Sequence, residues 1–184
     1  FQKNSMSVSS PPSNTLVSLS LLQDEVRKLE KLGADEAEVF ALNENALEID
    51  VRNGVVENLQ QKRDAGIGFR VIRNRGLGFA FTSDMSPEAL EDARRAALAS
   101  ATASDRDPHI HLPNAERQLR VVDYYDSTFS DHSITQKTER AREMENAARS
   151  ANSKVTRTDI ARYMESEIHI AIANNHGVSA QFRK

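Results

Sequence analysis

Apolar positions change period twice along the chain. Leu22, Val26, Leu29 and Leu32 recur three or four residues apart, the spacing of one face of an α-helix. Ser20 with Gln23 has the form of a capping box and Gly33 supplies a stop, so a helix is expected over 21–32. The period then falls to two. Residues 37–42 read as a short strand. Leu47, Ile49 and Val51 alternate with Glu48, Asp50 and Arg52, which predicts a strand with one buried and one wet face. Asn53-Gly54 follows at once, the dipeptide of a two-residue hairpin whose turn positions both need positive φ. A return strand is expected over 55–63. Ile67, Phe69 and Val71 alternate next, then Leu77, Phe79 and Phe81, with Asn74-Arg75-Gly76 as the turn between them. The segment reads as an antiparallel meander of about four strands.

Ser86-Pro87 opens a second helix, a cap residue followed by proline at the first helical position. Its stripe is Leu90, Ala93, Ala97 and Ala101. Residues 104–130 show no period and include Pro108 and Pro113. They read as a long connection with one short strand over 119–124. A third helix is expected over 134–151, carried by Ile134, Ala141, Met144 and Ala148. Three strands follow, over 155–164, 167–173 and 178–182, with Ile168, Ile170 and Ile172 alternating in the second. Asn174-Asn175-His176-Gly177 is the turn before the last. The order helix, four strands, helix, connection, helix, three strands is α+β, an antiparallel sheet with helices packed on one side. Val178, Ala180 and Phe182 still alternate where Lys184 ends the sequence, so the fold is expected to be incomplete at its C-terminus. Residues 1–14 read as a tag remnant and a Ser/Pro-rich linker, since Phe1 to Ser5 precede Met6. Residues 15–184 read as one domain with a sub-boundary within 104–130.

Composition narrows the chemistry. The 184 residues contain no Cys, which removes disulfides, thiolate zinc sites and cysteine nucleophiles and suits a reducing, cytoplasmic setting. Net charge is −3, with 28% charged residues of both signs. That is a solvated surface rather than a nucleic-acid footprint. Arg63, Arg70, Arg73 and Arg75 cluster, but no aromatic residue is interleaved to stack on bases. No apolar run approaches the ~20 residues of a membrane span, so neither membrane nor nucleic acid is expected as a partner.

No catalytic, cofactor-binding or metal-binding residue is assigned. No His is followed by Glu in the helical two-histidine zinc pattern. Of His109, His111, His132, His169 and His176, only His109-Ile110-His111 is closely spaced, and beside Pro108 a polar loop is the better reading. His169, between Ile168 and Ile170, is expected to face solvent or a neighbouring strand. Asp131-His132-Ser133 precedes the third helix and reads as a cap, not a triad. Gly66, Gly68, Gly76, Gly78 and Ala80 fall opposite Ile67, Phe69, Leu77, Phe79 and Phe81. Two neighbouring strands are therefore expected to share a nearly bare face. The alanine-rich helix is the expected occupant, with a peptide or partner as the alternative.

A wider pattern runs through the chain. Gly33-Ala34-Asp35-Glu36-Ala37-Glu38-Val39, then Asn53-Gly54-Val55-Val56-Glu57, Gly66-Ile67-Gly68-Phe69-Arg70-Val71, and Gly78-Phe79-Ala80-Phe81-Thr82-Ser83-Asp84 occur in order. Ser86, Leu90, the alanine-rich helix and Asn174-Asn175-His176-Gly177-Val178 follow. This ordered set resembles the N-terminal region of the TldD/PmbA family, also called modulators of DNA gyrase. The resemblance implies part of a protein two to three times this length, similar to metallopeptidases that act on peptides or unfolded proteins and work as paired subunits. One subunit type carries a helical His-Glu-x-x-x-His zinc motif beyond the matched region, and the other lacks it. Zinc is thus expected in the full-length protein or its partner subunit, with no cofactor in this stretch. The expected role is non-catalytic, in subunit pairing and in the walls of the substrate cavity. The other readings are a peptide-binding pseudo-enzyme subunit without a metal site, and a gyrase-associated regulator.

Overall fold

The computed structural model describes residues 18–115 and 124–184. Among these, α1 (Leu19–Lys31) leads into β1 (Glu36–Arg52), β2 (Val55–Arg73) and β3 (Gly76–Thr82). Next come α2 (Pro87–Ala103), a 3-10 turn (Ser127–Asp131) and α3 (Ile134–Ala151). The order closes with β4 (Ala161–Asn174) and β5 (Ser179–Arg183). The strands form one antiparallel sheet in the order β3-β2-β1-β4-β5, and the architecture is α+β.

The sheet differs from expectation in its continuity. The strands expected over 37–42 and 47–52 are one strand of 17 residues, and those over 55–63 and 67–71 are one of 19. Alternation lapses at Asn43-Glu44-Asn45 and at Lys62-Arg63-Asp64. The ladder continues there because its hydrogen bonds belong to the backbone, and β1 is paired on both sides through this stretch. Likewise 161–174 is a single strand. It begins at Ala161 rather than at 155, because 155–160 is occupied by turns. The strand expected over 119–124 lies almost wholly outside the described residues.

Turns and caps set the register. Asn53 and Gly54 have φ of 53° and 74°, and Asn74 and Arg75 have 49° and 66°, so both hairpins close through two-residue turns. Gly33, at φ 94°, stops α1 just after the Leu32 cap position. Ser18 rather than Ser20 is the N-cap residue of α1. Ser86 accepts the Ala89 amide ahead of Pro87, and Ser133 forms a reciprocal capping box with Gln136. The Asp131-His132-Ser133 segment is thus a helix start, as expected.

The helices lie on one face of the sheet. Ala37, Val39, Ala41, Ile67, Phe69 and Val71 form a core with Leu22, Val26 and Leu29 of α1 and with Leu90, Ala93, Ala97 and Ala101 of α2. Toward the β1–β2 hairpin tip a smaller core joins Leu47, Ile49, Val51 and Ala161 to Ala141 of α3. A buried ion pair between Glu25 and Arg94 ties α1 to α2. Glu145 of α3 ties its helix to the hairpin, accepting the Asn53 and Gly54 amides, both at 2.7 Å, and the Thr158 hydroxyl.

The two glycine pairs do not share a face. Directly opposed residues on neighbouring antiparallel strands point the same way, and here Val71 opposes Gly78 while Gly68 opposes Phe81. Gly76 and Gly78 lie under α2, where a Cβ would overlap the Ala101 and Ala97 carbonyls. The alanine-rich helix is therefore the occupant expected for these two. Gly66 and Gly68 lie on the other face, with Leu77, Phe79 and Phe81. In β4 the buried side is Ala171 and Ala173. Ile168, Ile170 and Ile172 point away from the helices, and His169 is on the helix side.

Candidate functional site

Glu36, at the start of β1, gathers two of the histidines. Its carboxylate accepts the Leu112 amide at 2.6 Å, lies 3.0 Å from His111 Nδ1 and 3.2 Å from His176 Nε2. Burial opposes ionisation of Glu36, but the Leu112 and His111 hydrogen bonds and both imidazoles outweigh it and hold its carboxyl below the usual range. The same strap is fixed by Asn174 Nδ2 on the Pro113 carbonyl and by the Ala115 amide on the His176 carbonyl. His109 does not join His111. Its amide instead bonds Asp107. Among the described residues no group of three His, Asp or Glu side chains could hold a metal ion.

A second polar group lies between the two cores. His169 pairs in register with Asn43 and Arg183. Arg183 stacks on the Tyr125 ring at 3.7 Å, bonds its hydroxyl at 2.8 Å and pairs with Glu167. Burial, and then the Arg183 charge, push the His169 imidazole below its usual value. The arrangement fastens β5 and the 124–126 segment to β4 and holds no nucleophile with a base.

The arginines are dispersed. Arg70 pairs with Glu38 at 3.2 Å, the Arg73 guanidinium lies against Gly33, and the Arg75 carbonyl accepts the Asp107 amide. Asp50, held by Arg162 at 2.6 and 2.9 Å, has its carboxyl lowered by that hydrogen bond.

The broadest feature is the sheet face away from the helices. Cross-strand register assembles it row by row. One row reads Phe79, Arg70, Glu38, Asn174. The next reads Phe81, Gly68, Phe40, Ile172, Ala180. The third reads Gly66, Leu42, Ile170, Phe182. Asp64, Glu44 and Ile168 follow, and beyond them Glu44, Glu48, Gln60, Lys62, Met164 and Ser166 line a shallow cavity of about 380 Å³. Phe81 is 73% exposed, Phe79 57%, Phe40 40% and Phe182 37%. The Phe79 and Phe81 rings stack at 6.3 Å, and a Cβ on Gly68 would sit 3.2 Å from the Phe79 ring. Sequence reasoning assigned these aromatics and isoleucines to the core. The signal that places them outside is the two-residue turn at Asn74-Arg75.

Residues 37–101 match the model of PmbA/TldA metallopeptidase domain 1, and residues 127–184 match that of the PmbA/TldA metallopeptidase central domain. The chain belongs to the PmbA/TldD family. It is 27% identical over 148 residues to the metalloprotease PmbA of Escherichia coli, covering 79% of this chain and 32% of that protein. It is 27% identical over 179 residues to a metalloprotease PmbA homolog of Haemophilus influenzae, covering 91% and 39%. The fold matches TldE from Thermococcus kodakarensis with a TM-score of 0.73 at 18% identity, over 90% of this chain and 37% of that one. The chain thus spans less than half the length of the PmbA/TldD relatives it matches. Among the described residues no helix is long and apolar enough to cross a membrane.

Proposed function

We propose that this chain is the non-catalytic N-terminal region of a cytoplasmic PmbA/TldD-type metallopeptidase that acts on peptides or unfolded proteins, and that it contributes to subunit pairing and to the walls of the substrate cavity. The observation that carries this reading is the open sheet face. A uniformly apolar strip of Phe40, Leu42, Phe79, Phe81, Ile170, Ile172 and Phe182, unshielded by any described helix, is a surface made for contact rather than for water. The titratable groups point the same way. Glu36, Asp50, Glu145 and Glu167 each hold a partner that fastens one element to another. The zinc of this proposal is bound by another part of the full-length protein or by its partner subunit.

Metal content is the test. The purified chain, loaded with excess zinc and then desalted, is expected to retain well under one zinc per molecule. About one zinc per chain surviving desalting would overturn the non-catalytic assignment.

A further inference from the structure

We propose that the open sheet face docks onto the same face of a second copy of this chain, the two sheets stacked about a two-fold axis that runs across the strands. The proposal rests on the pairing role argued above and names the surface.

Area supports it first. At the exposures given above, Phe40, Phe79, Phe81 and Phe182 alone leave about 400 Å² of aromatic surface in water. That already matches the largest apolar patch of an ordinary monomer, ~300–600 Å². Leu77, Leu42 and the three isoleucines extend it toward the ~800 Å² that each partner contributes to a stable interface. The face needs no refolding to be covered, because aligned sheets pack face to face through side chains such as these.

Self-complementarity selects a second copy as the occupant. An isologous contact requires the surface to match itself under the two-fold. An axis lying between the Phe40 row and the Leu42 row exchanges those two rows. Phe40 then lies over Leu42 of the second copy, Ile172 over Ile170, and Phe182 over the small Ala180. The bare backbone at Gly68 meets that at Gly66, which leaves room for Phe81. The same operation exchanges the Arg70 row with the Asp64 row. Arg70, half-exposed beside Glu38, therefore faces Asp64 of the second copy, and the polar ends pair opposite charges around an apolar centre.

Sedimentation of the 184-residue chain from low to high micromolar concentration tests the proposal, with Phe81→Glu and Val55→Glu compared. Val55 is also exposed, but it lies at the hairpin tip. The chain is expected to form dimers, Phe81→Glu to weaken them at least about tenfold, and Val55→Glu to change them less than about twofold. Circular dichroism confirms that both variants keep the wild-type fold. A dimer indifferent to Phe81→Glu overturns this face and leaves subunit pairing standing. A chain that stays monomeric at high micromolar concentration overturns both.

Discussion

Gly78 of β3 lies directly under Ala97 of α2, with no side chain between the two backbones. A Cβ at Gly78 would overlap the Ala97 carbonyl and the Ala101 amide. Close approach of helix and strand is what lets the small residues Ala93, Ala97 and Ala101 fill the core. Gly78→Ala is expected to destabilise the chain by about 1–3 kcal/mol through overpacking, and Gly78→Val by more. Gly68→Ala, on the open face, meets only the Phe79 ring and is expected to cost less than Gly78→Ala. Chemical denaturation of the three variants checks the order.

The β1–β2 hairpin tip depends on left-handed backbone at Asn53 and Gly54. A β-branched residue resists that conformation. Gly54→Val is expected to lower stability by roughly 1–3 kcal/mol, even though a Cβ there would meet nothing within 4 Å. The loss is therefore one of backbone strain and not of crowding. Denaturant unfolding that is unchanged in Gly54→Val would sink this account of the turn.

Glu36 makes the strap at 111–115 sensitive to acid. Burial disfavours its charged form, yet its hydrogen bonds and the neighbouring imidazoles prevail, so its folded-state pKa lies below the ordinary 4.5. A carboxyl depressed in the folded state stabilises above its unfolded pKa, and that contribution is lost as pH falls through the folded value. Glu36→Gln is expected to reduce stability at pH 7 and to flatten the loss of stability of the wild-type chain below pH 4.5. Urea midpoints measured across that range test the sign. An equal drop in both proteins would remove Glu36 from the acid response.

Local chemistry was readable in the sequence where one or two residues decide it. Asn53-Gly54, Gly33 and Ser86-Pro87 each occupy the predicted place, because turn and cap preferences act over a few bonds. The faces of β3 and β4 were not readable in the same way. Counting Asn74-Arg75-Gly76 as a three-residue turn puts Phe79 and Phe81 on the helix side with Phe69. The actual two-residue turn opposes Arg73 to Gly76, and that one-residue shift turns every side chain of β3 over. In β4 the isoleucines outweigh the alanines by size, so alternation alone assigned them to the core. The helix side is filled by Ala171 and Ala173 because α1 packs closely there, a fact set by tertiary contact. The open face was hidden for the same reason. Its residues have core composition, and only the three-dimensional layout shows that no described helix covers them.

The central claim is that this chain supplies scaffold and contact surface while the peptidase chemistry resides elsewhere. Incubation of the chain with an unfolded, fluorescently labelled casein in the presence of added zinc tests it most directly. The account predicts no release of label above the zinc-only control at any chain concentration. Release that rises in proportion to chain concentration and is abolished by a chelator would contradict it.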